Sequence, residues 1–408
     1  MPGDLLVLNS GSSSLKFAVY TVDDATGKRE PARRLRGQIT GLGATPHFRV
    51  TDADGNTIAS GDPANGARGF DQDDAFDFLL DWLDCEPVGQ ALHAAGHRVV
   101  HGGQAFTDAV RITDEVITQL QALVPLAPLH QPHNIAPMRT LARSRPDLVQ
   151  VACFDTAFHH TQSAVERRLA LPRAITDQGV MRYGFHGLSY EFIAEALASR
   201  MGGAETGRAV VAHLGSGASL AALRDGISVA TTMGFTALDG LPMSTRCGAL
   251  DPGAVLYLLR EKAMSPEDVT ALLYEQSGLL GISGISGDMR TLLGSREPAA
   301  EEAVAVFVHR AVREIGALVA VLGGLDHLVF TGGIGEHASP VRERICGQLE
   351  WLGVDIDRDA NGAHAEQVQS DRSRVGVWII PTDEEQMIAR HSLHVFEETT
   401  AGNARELL

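Results

Sequence analysis

The chain begins with an apolar strand, a loop of glycine and serine, and a second apolar strand, in the stretch LLVLNSGSSSLKFAVY from Leu5 to Tyr20. Small side chains let main-chain N–H groups and hydroxyls converge on an anion, and a lysine follows, so this hairpin has the parts of a phosphate cradle. It matches neither GxxxxGK[ST] nor GxGxxG, and a serine-rich turn without a ligand explains the same residues. The hairpin therefore predicts a phosphate site only if another part of the chain supports it.

A second hairpin of the same kind lies near the middle of the chain. VVAHLGSGASLAAL, from Val210 to Leu223, again places a Gly/Ser loop between apolar strands, and chance similarity of two turns is the alternative to duplication. A third glycine loop, in LVFTGGIGEHAS, runs from a strand toward a helix, where backbone can approach a nucleotide and the helix N-terminus favours negative charge. Together the loops predict a nucleotide-binding cleft between two related domains.

Composition limits the class of protein further. The 408 residues are 44% apolar and 21% charged, which suits a globular chain of two domains, and no apolar run approaches the ~20 residues of a membrane span. A formal net charge of −17 argues against nucleic acid as a partner. Four scattered cysteines without CxxC spacing indicate a reduced compartment. We therefore expect a cytoplasmic protein that binds neither nucleic acid nor a membrane.

Hydrophobic periodicity predicts an α/β chain with mixed sheets. Strands are predicted at RLRGQITGL, at HFRVTDADGNTIAS with a turn at Asp54-Gly55, at HRVVHGG, at VQVACFD and at HLVF. Helices are predicted at FDFLLDWL and at EEAVAVFVHRAVREIGALVAVLGG, which ends at a glycine pair. The chain closes with the strand VGVWII and a helix, and PTDEEQ predicts a capping box with Thr382 as N-cap and Glu385 as its partner.

Ten motifs resemble the acetokinase family and occur in the family's order: NSGSSSLK, GHRVVHGG, LAPLHQPHN, FDTAFH, RYGFHGLSY, HLGSGAS, MGFTALDGLPMSTR, GISGDMR, GGIGE and PTDEEQMIAR. The resemblance spans nearly the whole chain. It implies the fold shared by actin, hexokinase and the heat-shock chaperone ATPases, with two duplicated actin-like (ribonuclease H-like) domains around a nucleotide cleft. It implies domains at residues 1–155 with 386–408 and at residues 156–385, and a homodimer.

The same resemblance implies reversible phosphoryl transfer from ATP to acetate, giving acetyl phosphate and ADP, with magnesium as the metal and manganese as its substitute. The catalytic residues that match the family are Arg98, Asp155, His186 and Arg246. A guanidinium fork suits a carboxylate or a transferring phosphoryl group, and an aspartate that ends a strand faces the ligand crevice of α/β folds. By the same resemblance Asp155 is expected to orient substrate or interact with magnesium. It is not assigned as a general base, because a carboxylate substrate is already ionised near neutral pH.

The remaining site residues follow from the same match. Asn9 and Glu384 are expected to hold the metal. The acyl group is expected to contact Val100, Leu129, Phe185 and Ala237. The residues expected to bind nucleotide are Ser12, Ser14, Lys16, His213, Leu214, Gly215, Ser216, Gly217, Asp288, Met289, Arg290, Gly333, Ile334, Gly335, Glu336 and His337.

Two histidines offer a competing metal site. His130 and His133 lie close together in LHQPH, but zinc would need further ligands of suitable spacing. His130 also matches a family active-site histidine of lesser importance.

Several positions depart from the family pattern. Ser216 and His337 each stand where the family has asparagine, Ala237 stands where it has proline, and MSTRCGA replaces MGTRSGD. The first two are expected to affect nucleotide affinity, and Ala237 is expected to enlarge the acyl pocket, so a propionate kinase is the nearest enzymatic alternative. An ATP-gated binding module without phosphoryl transfer and a catalytically impaired relative are the alternatives of other classes.

Overall fold

The computed structural model describes residues 3–11, 14–22, 30–66, 69–87, 92–128 and 130–406, with side chains to position 401. The chain forms two compact units, residues 1–157 with 383–408 and residues 158–382. The domain boundaries implied by the sequence, at 155/156 and 385/386, stay a prediction. Ser12 and Leu129 of the predicted site lie outside the described residues.

The first unit is built on one mixed sheet. Its strands are β1 (Gly3–Ser10), β2 (Ser14–Val22), β3 (Ala32–Thr40), β4 (His47–Asp52), β5 (Thr57–Gly61), β6 (Leu92–Val99), β7 (Val110–Arg111) and β8 (Val149–Phe154). They lie in the order β5-β4-β3-β2-β1-β6-β8-β7, with β1 to β5 antiparallel and β6 and β8 parallel to β1. The predicted hairpin at the start of the chain and the turn at Asp54-Gly55 are confirmed.

Helices cover the sheet of the first unit. They are α1 (Gln72–Cys85), α2 (Asp114–Ala122) and α3 (Gln131–Ser144), with a 3₁₀ turn at Val124–Leu126. α1 begins at a capping box in which Asp71 accepts from the N–H of Asp74 while Asp74 accepts from that of Asp71. Its apolar face, including Phe76 and Leu79, packs in a core with Phe17 of β2. The amphipathic spacing of FDFLLDWL thus fixes which face of α1 meets the sheet.

The second unit repeats the arrangement. Its strands are β9 (Arg208–Leu214), β10 (Ala218–Arg224), β11 (Ile227–Thr231), β12 (His327–Thr331) and β13 (Gly376–Ile379). The order β11-β10-β9-β12-β13 has three antiparallel strands followed by two parallel ones. The first unit shows the same pattern in β3-β2-β1-β6-β8. This shared topology confirms the duplication that the two Gly/Ser hairpins predict.

The remaining helices follow in chain order. They are α4 (Ala164–Arg167), α5 (Arg173–Thr176), α6 (Gly187–Arg200), α7 (Pro252–Arg260), α8 (Pro266–Glu275), α9 (Gly278–Ser283), α10 (Met289–Gly294), α11 (Pro298–Leu322), α12 (Gly332–His337), α13 (Ser339–Gly347), α14 (Arg358–Gly362) and α15 (Glu384–Glu406), with 3₁₀ turns at Ala157–Thr161 and Glu350–Leu352. The predicted long helix is α11, and Gly323 ends it in the left-handed conformation. α15 returns to the first unit and packs on β1, β6 and β8. None of the helices in the described part of the chain combines the length and hydropathy that a bilayer span requires.

The start of α15 differs from the prediction. Asp383 Oδ1 accepts from the N–H of Gln386 at 3.0 Å, so Asp383 is the residue that caps the helix. Within the described residues the buried hydroxyl of Thr382 has no hydrogen-bond partner. The backbone N–H of Thr382 donates to Glu336 Oε1. The predicted capping box is therefore wrong by one residue, because a carboxylate next to the first turn serves the helix N-terminus at least as well as a hydroxyl.

Candidate active site

Arg98 lies at the centre of a group of oxygen ligands in the first unit. Its guanidinium makes two hydrogen bonds to Asp155, from Nε to Oδ1 at 2.9 Å and from Nη2 to Oδ2 at 2.6 Å. Nη1 donates to Asn9 Oδ1 at 3.3 Å and lies 3.5 Å from Glu384 Oε2. The parallel strands β1, β6 and β8 bring Asn9, Arg98 and Asp155 to one end of the sheet, and Glu384 reaches them from the start of α15. We call Asn9, Arg98, Asp155 and Glu384 the carboxylate–arginine cluster.

Burial and charge act in opposite directions on this cluster. The side chain of Asp155 is 2% exposed and that of Arg98 is 19% exposed. Burial lowers the pKa of Arg98, but the carboxylates of Asp155 and Glu384 outweigh burial and raise that pKa above its ordinary value. Arg98 is therefore held as a cation whose charge an incoming carboxylate or phosphoryl group can share.

The first Gly/Ser hairpin lies beside the cluster. Lys16 on β2 is the cross-strand partner of Asn9, and the loop is closed by a hydrogen bond from the N–H of Gly11 to the carbonyl of Ser14 at 2.9 Å. Burial raises the pKa of Glu385 at the start of α15, and the positive charges of Arg36 and Lys16 offset only part of this increase. The charge of Lys16 thus reaches the same helix end that carries Glu384.

The oxygen atoms of the cluster are the donors that magnesium prefers. An amide oxygen and two carboxylates face one guanidinium, and magnesium usually takes one or two carboxylates together with substrate phosphates. This donor set fits a divalent cation that arrives with a nucleotide. Across the described residues, no group of three or more His, Cys, Asp or Glu side chains could hold a metal ion, so a zinc site at His130 and His133 has no support there.

His186 has a strained backbone at the start of α6. Its φ of 58° lies in the left-handed region, which costs a residue with a side chain about 1 kcal/mol or more. Its Nδ1 lies 2.8 Å from Ser219 Oγ, which lies 2.5 Å from the hydroxyl of Tyr190. In one direction of this chain the Tyr190 hydroxyl donates to Ser219 and Ser219 donates to Nδ1, and in that direction a neutral His186 would carry its proton on Nε2. The strain and this oriented chain both indicate a functional histidine.

Gly217 is the point at which His186 and Arg246 meet. A Cβ atom at position 217 would lie 3.1 Å from His186 Nε2 and 3.9 Å from Arg246 Nη1. Arg246 Nη1 also donates to the carbonyl of Ala237 at 3.1 Å. We call His186, Ser219 and Arg246 the histidine–arginine cluster. The second Gly/Ser hairpin thus places a cation and a hydrogen-bond donor against a glycine of its own loop.

Loops of the second unit line a cavity of about 580 Å³, a size that suits a nucleotide. The lining residues are Gly215, Ser216, Ser244, Gly287, Asp288, Met289, Arg290, Gly333, Ile334, His337 and Ala338. All of these except Ser244, Gly287 and Ala338 belong to the predicted nucleotide set. Three separate glycine-containing segments therefore converge on one cavity.

Other residues of the predicted nucleotide set support the loops. His213 stacks on the ring of His186 with centroids 4.3 Å apart, and Leu214 is fully buried. Glu336 Oε1 accepts from the N–H of Gly332 at 2.9 Å. Gly335 lies against strand backbone. The predicted loop between strand and helix is itself the short helix α12, since the GGIGE residues form its first turns.

Two supporting residues are absent from the sequence predictions. Ser244 donates from its N–H to the carbonyl of Ser216 at 3.1 Å and from its hydroxyl to that of Gly287 at 2.6 Å, so it joins two walls of the cavity. Arg342 is fully buried, and its guanidinium donates to the carbonyls of Gly335 and Glu336. Only the position of Ser244 in a family motif hinted at a role, and VRERICG offers no signal that separates Arg342 from a surface arginine.

The predicted acyl contacts are divided between the units. In the second unit Phe185 is buried, and its carbonyl accepts from His159 Nε2 at 3.0 Å. Ala237 lies there against Arg246. In the first unit Val100 is half-buried and its N–H donates to Asn134. The acyl-binding role of these residues stays a prediction.

Two adjacent glycines of α12 are expected to have different roles, one in folding and one in nucleotide binding. Gly332 has φ +76°, and a Cβ there would lie 2.8 Å from the carbonyl oxygen of Leu214, whereas nothing lies within 4 Å of a Cβ at Gly333. We expect Gly332→Ala to lower the free energy of unfolding by about 2 kcal/mol. Gly333→Ala should leave stability unchanged but raise the KM for ATP, because its methyl group enters the cavity.

Denaturant unfolding and ATP kinetics of the two variants test this pair. Equal stability losses in both variants would show that the close approach of Gly332 to Leu214 does not constrain the loop. An unchanged KM for ATP in Gly333→Ala would show that this wall of the cavity does not contact the nucleotide.

Solved structures with the same architecture come from small-acid kinases. A propionate kinase from Francisella tularensis subsp. tularensis SCHU S4 is 34% identical, with a TM-score of 0.88, covering 96% of this chain and 100% of that chain. The acetate kinase of Porphyromonas gingivalis is 33% identical, with a TM-score of 0.84, covering 96% and 99%. The repeated strand order and the glycine-lined cavity, with these likenesses, define a kinase with the actin-like ATPase fold.

Sequence comparison identifies the family within that class. The chain belongs to the acetokinase family, whose profile matches residues 4–390. Acetate kinase of Rhodopseudomonas palustris strain TIE-1 is 54% identical over 390 residues, which cover 95% of this chain and 97% of the relative. Acetate kinase of Methylocella silvestris is 48% identical over 401 residues, covering 97% and 99%. The family resemblance drawn from the ten motifs is confirmed.

Proposed function

We propose that this chain is an acetate kinase, which transfers the γ-phosphoryl group of ATP reversibly to acetate and forms acetyl phosphate and ADP. The observation that carries the proposal is the cavity of the second unit, which shares its Gly/Ser loop with the histidine–arginine cluster. Membership of the acetokinase family and 54% identity to an acetate kinase support the same function.

The second unit supplies nucleotide binding and charge stabilisation. In the transfer, a carboxylate oxygen of acetate forms a bond to the γ-phosphorus while the bond from that phosphorus to the bridging oxygen of ADP breaks. Negative charge spreads over the moving phosphoryl oxygens, so catalysis needs positioning and cations more than proton transfer. Arg246 supplies a cation, and His186 supplies a hydrogen bond from Nε2 that Ser219 keeps oriented.

The first unit supplies the acyl and metal ligands. Arg98 suits the acetate carboxylate through its fork of donors, and Asp155 keeps that fork in place. Asn9 and Glu384 would hold Mg²⁺, with Mn²⁺ as a substitute, and Lys16 and Ser14 would contact the phosphates. When bound, the cation neutralises phosphate charge. Acetate arrives ionised, so no residue of the cluster has to remove a proton.

Acetate is the proposed substrate, and position 237 tunes the choice of acid. Alanine there, in place of the family's proline, is expected to enlarge the acyl pocket beside Arg246, whose guanidinium donates to the Ala237 carbonyl. One methylene in an apolar pocket changes selection by only about 1–3 kcal/mol. We expect acetate to be preferred and propionate to be accepted. Ala237→Pro should lower kcat/KM for propionate relative to that for acetate.

The decisive experiment is the initial rate of acyl phosphate formation from Mg-ATP with acetate, propionate or butyrate, trapped as the hydroxamate. Acetate-dependent product, with little ATP hydrolysis when acid is omitted, supports an acetate kinase. A propionate preference would favour a propionate kinase. ATP hydrolysis without any acyl phosphate would favour a binding module, and no turnover at all would favour an impaired relative.

Further properties belong to this proposal. The chain is proposed to act in the cytoplasm and as a homodimer, as the family resemblance implies. Sedimentation of the purified protein tests the dimer.

A further inference from the structure

A buried carboxamide bridges the ends of two strands in the first unit. Asn134 on α3 is 2% exposed. Its Oδ1 accepts from the N–H of Val100 at 3.0 Å, and its Nδ2 donates to the carbonyl of Ser10 at 3.0 Å. Both groups of the carboxamide are therefore used to hold main chain.

The bridge takes over where the ladder between β1 and β6 stops. The last backbone pair of these parallel strands is Leu8 with His97, so Ser10 and Val100 lie beyond it. A carboxamide offers the same donor and acceptor as a peptide group, and Asn134 therefore acts as one additional rung. Without it, the partly buried N–H of Val100 and the buried carbonyl of Ser10 would both lose this hydrogen-bond partner.

The two ends of the bridge belong to different parts of the proposed site. Ser10 opens the first Gly/Ser loop directly after Asn9, and Val100 follows two residues after Arg98. Gln72 of α1 adds a second tie, since its Nε2 donates to Ser10 Oγ and lies 3.4 Å from the carbonyl of His133. The helix that carries Asn134 is thus anchored to the loop through two residues.

We propose that Asn134 is a positioning residue for the phosphoryl transfer. Its side chain sets the spacing between the first Gly/Ser hairpin and the strand β6, which carries Arg98. The inference rests on the proposed function, because it assigns both ends of the bridge to one reaction. A misplacement of about 1 Å in such a site can cost about 10²-fold in rate. Because the carboxamide of Asn134 is hydrogen-bonded to main chain at both ends, its loss should act on kcat more than on either KM.

Asn134→Asp is the most informative variant. It keeps the shape and the acceptor for Val100, but an ionised carboxylate places its charge against the carbonyl of Ser10. We expect kcat to fall about 10²-fold near pH 8. Burial and the carbonyl of Ser10 should both raise the pKa of the new carboxyl group at position 134. As the pH is lowered to about 6, this group should become protonated and donate to Ser10 again, so the ratio of its kcat to that of wild type should rise. His101, His133, Asp155 and Glu384 are present in both proteins, so the ratio of kcat to the wild-type value at each pH isolates the effect of the new carboxyl group.

Gln150→Glu is the matched control. Gln150 is also a buried amide that joins α3 to the sheet, through a hydrogen bond to the carbonyl of Met138 at 3.2 Å and one to His97 at 2.9 Å. It lies at the start of β8, the end of that strand opposite to Asp155. We expect Gln150→Glu to lose stability comparably while its kcat stays close to wild type below the unfolding temperature.

The outcomes separate this inference from the proposed function. The inference is overturned if Asn134→Asp keeps a wild-type kcat, or if its loss equals that of Gln150→Glu and does not recover at lower pH. Hydrogen exchange of the Val100 amide gives a readout without turnover, and it should be faster in Asn134→Ala than in wild type. If the wild-type protein makes no acetyl phosphate but this amide is still protected by Asn134, the proposed function fails and the bridge stands.

Discussion

Replacing Arg98 by alanine is expected to reduce kcat/KM for acetate by about 10³-fold and to destabilise the protein in the same step. The variant removes the donor fork proposed for acetate. It also leaves Asp155, whose side chain is 2% exposed, without the cation that makes two hydrogen bonds to it. Breaking a buried ion pair on one side costs about 3–5 kcal/mol of the free energy of unfolding.

The activity and stability effects can be separated. Adding Asp155→Asn to Arg98→Ala removes the stranded charge, so the double variant should regain much of the lost stability and none of the lost activity. A double-mutant cycle measures this coupling. It compares the wild type, both single variants and the double variant by denaturant unfolding and by hydroxamate kinetics. A double variant as unstable as Arg98→Ala would show that the ion pair is not what stabilises this edge of the sheet. Arg98→Lys should stay poorly active, because an ammonium cannot replace the fork.

Replacing Arg342 by methionine is expected to destabilise α12, the helix that forms one wall of the proposed nucleotide cavity. The buried guanidinium donates to the carbonyls of Gly335 at 2.8 Å and Glu336 at 2.9 Å, and to Oδ1 and the carbonyl of Asn361, both at 2.8 Å. Burial lowers the pKa of Arg342 to about 10, so the group is still charged at neutral pH. Its loss leaves several buried oxygens without a donor, which should cost about 3 kcal/mol of unfolding free energy.

The same variant should weaken ADP binding about tenfold or more, because Gly333 and His337 line the cavity on the helix that Arg342 holds. Calorimetric titration with ADP measures this without turnover. Arg344→Met is the matched control, since Arg344 lies two residues further along α13 and forms an exposed pair with Glu301. Exposed pairs contribute roughly 0–1 kcal/mol, so this control should change little. Unchanged ADP affinity in Arg342→Met would show that the loop keeps its shape without the guanidinium.

Two of the departures from the family pattern lie at the cavity of the second unit. Ser216 lines the cavity, and its carbonyl is held by Ser244, itself a departure from the family pattern. His337 also lines the cavity and lies 3.8 Å from Glu336 at the exposed end of α12. Neither substitution removes a group of the two clusters, so both are expected to adjust nucleotide affinity and not the transfer step.

Local pattern was sufficient for several elements and for the two Gly/Ser hairpins. The two Gly/Ser hairpins, the long helix that ends at Gly323 and the strand before Gly332 depend on interactions between near neighbours, and those interactions are written in consecutive residues. The order of the motifs was sufficient to identify the family. The capping box failed by one residue because Thr382 and Asp383 are both good caps and only the surrounding contacts choose between them.

Tertiary structure alone decided which polar side chains are held together. Arg98 and Asp155 meet because β6 and β8 are neighbours, and Asn134 reaches Ser10 from a helix far along the chain. Arg342 and Arg344 occupy the same short helix, yet one is fully buried on backbone carbonyls and the other faces solvent. The two Gly/Ser hairpins, the long helix α11, the strand before Gly332 and the family could be read from consecutive residues. Burial and long-range pairing depend on what packs against each face, and that information lies in the fold and not in the spacing of residues.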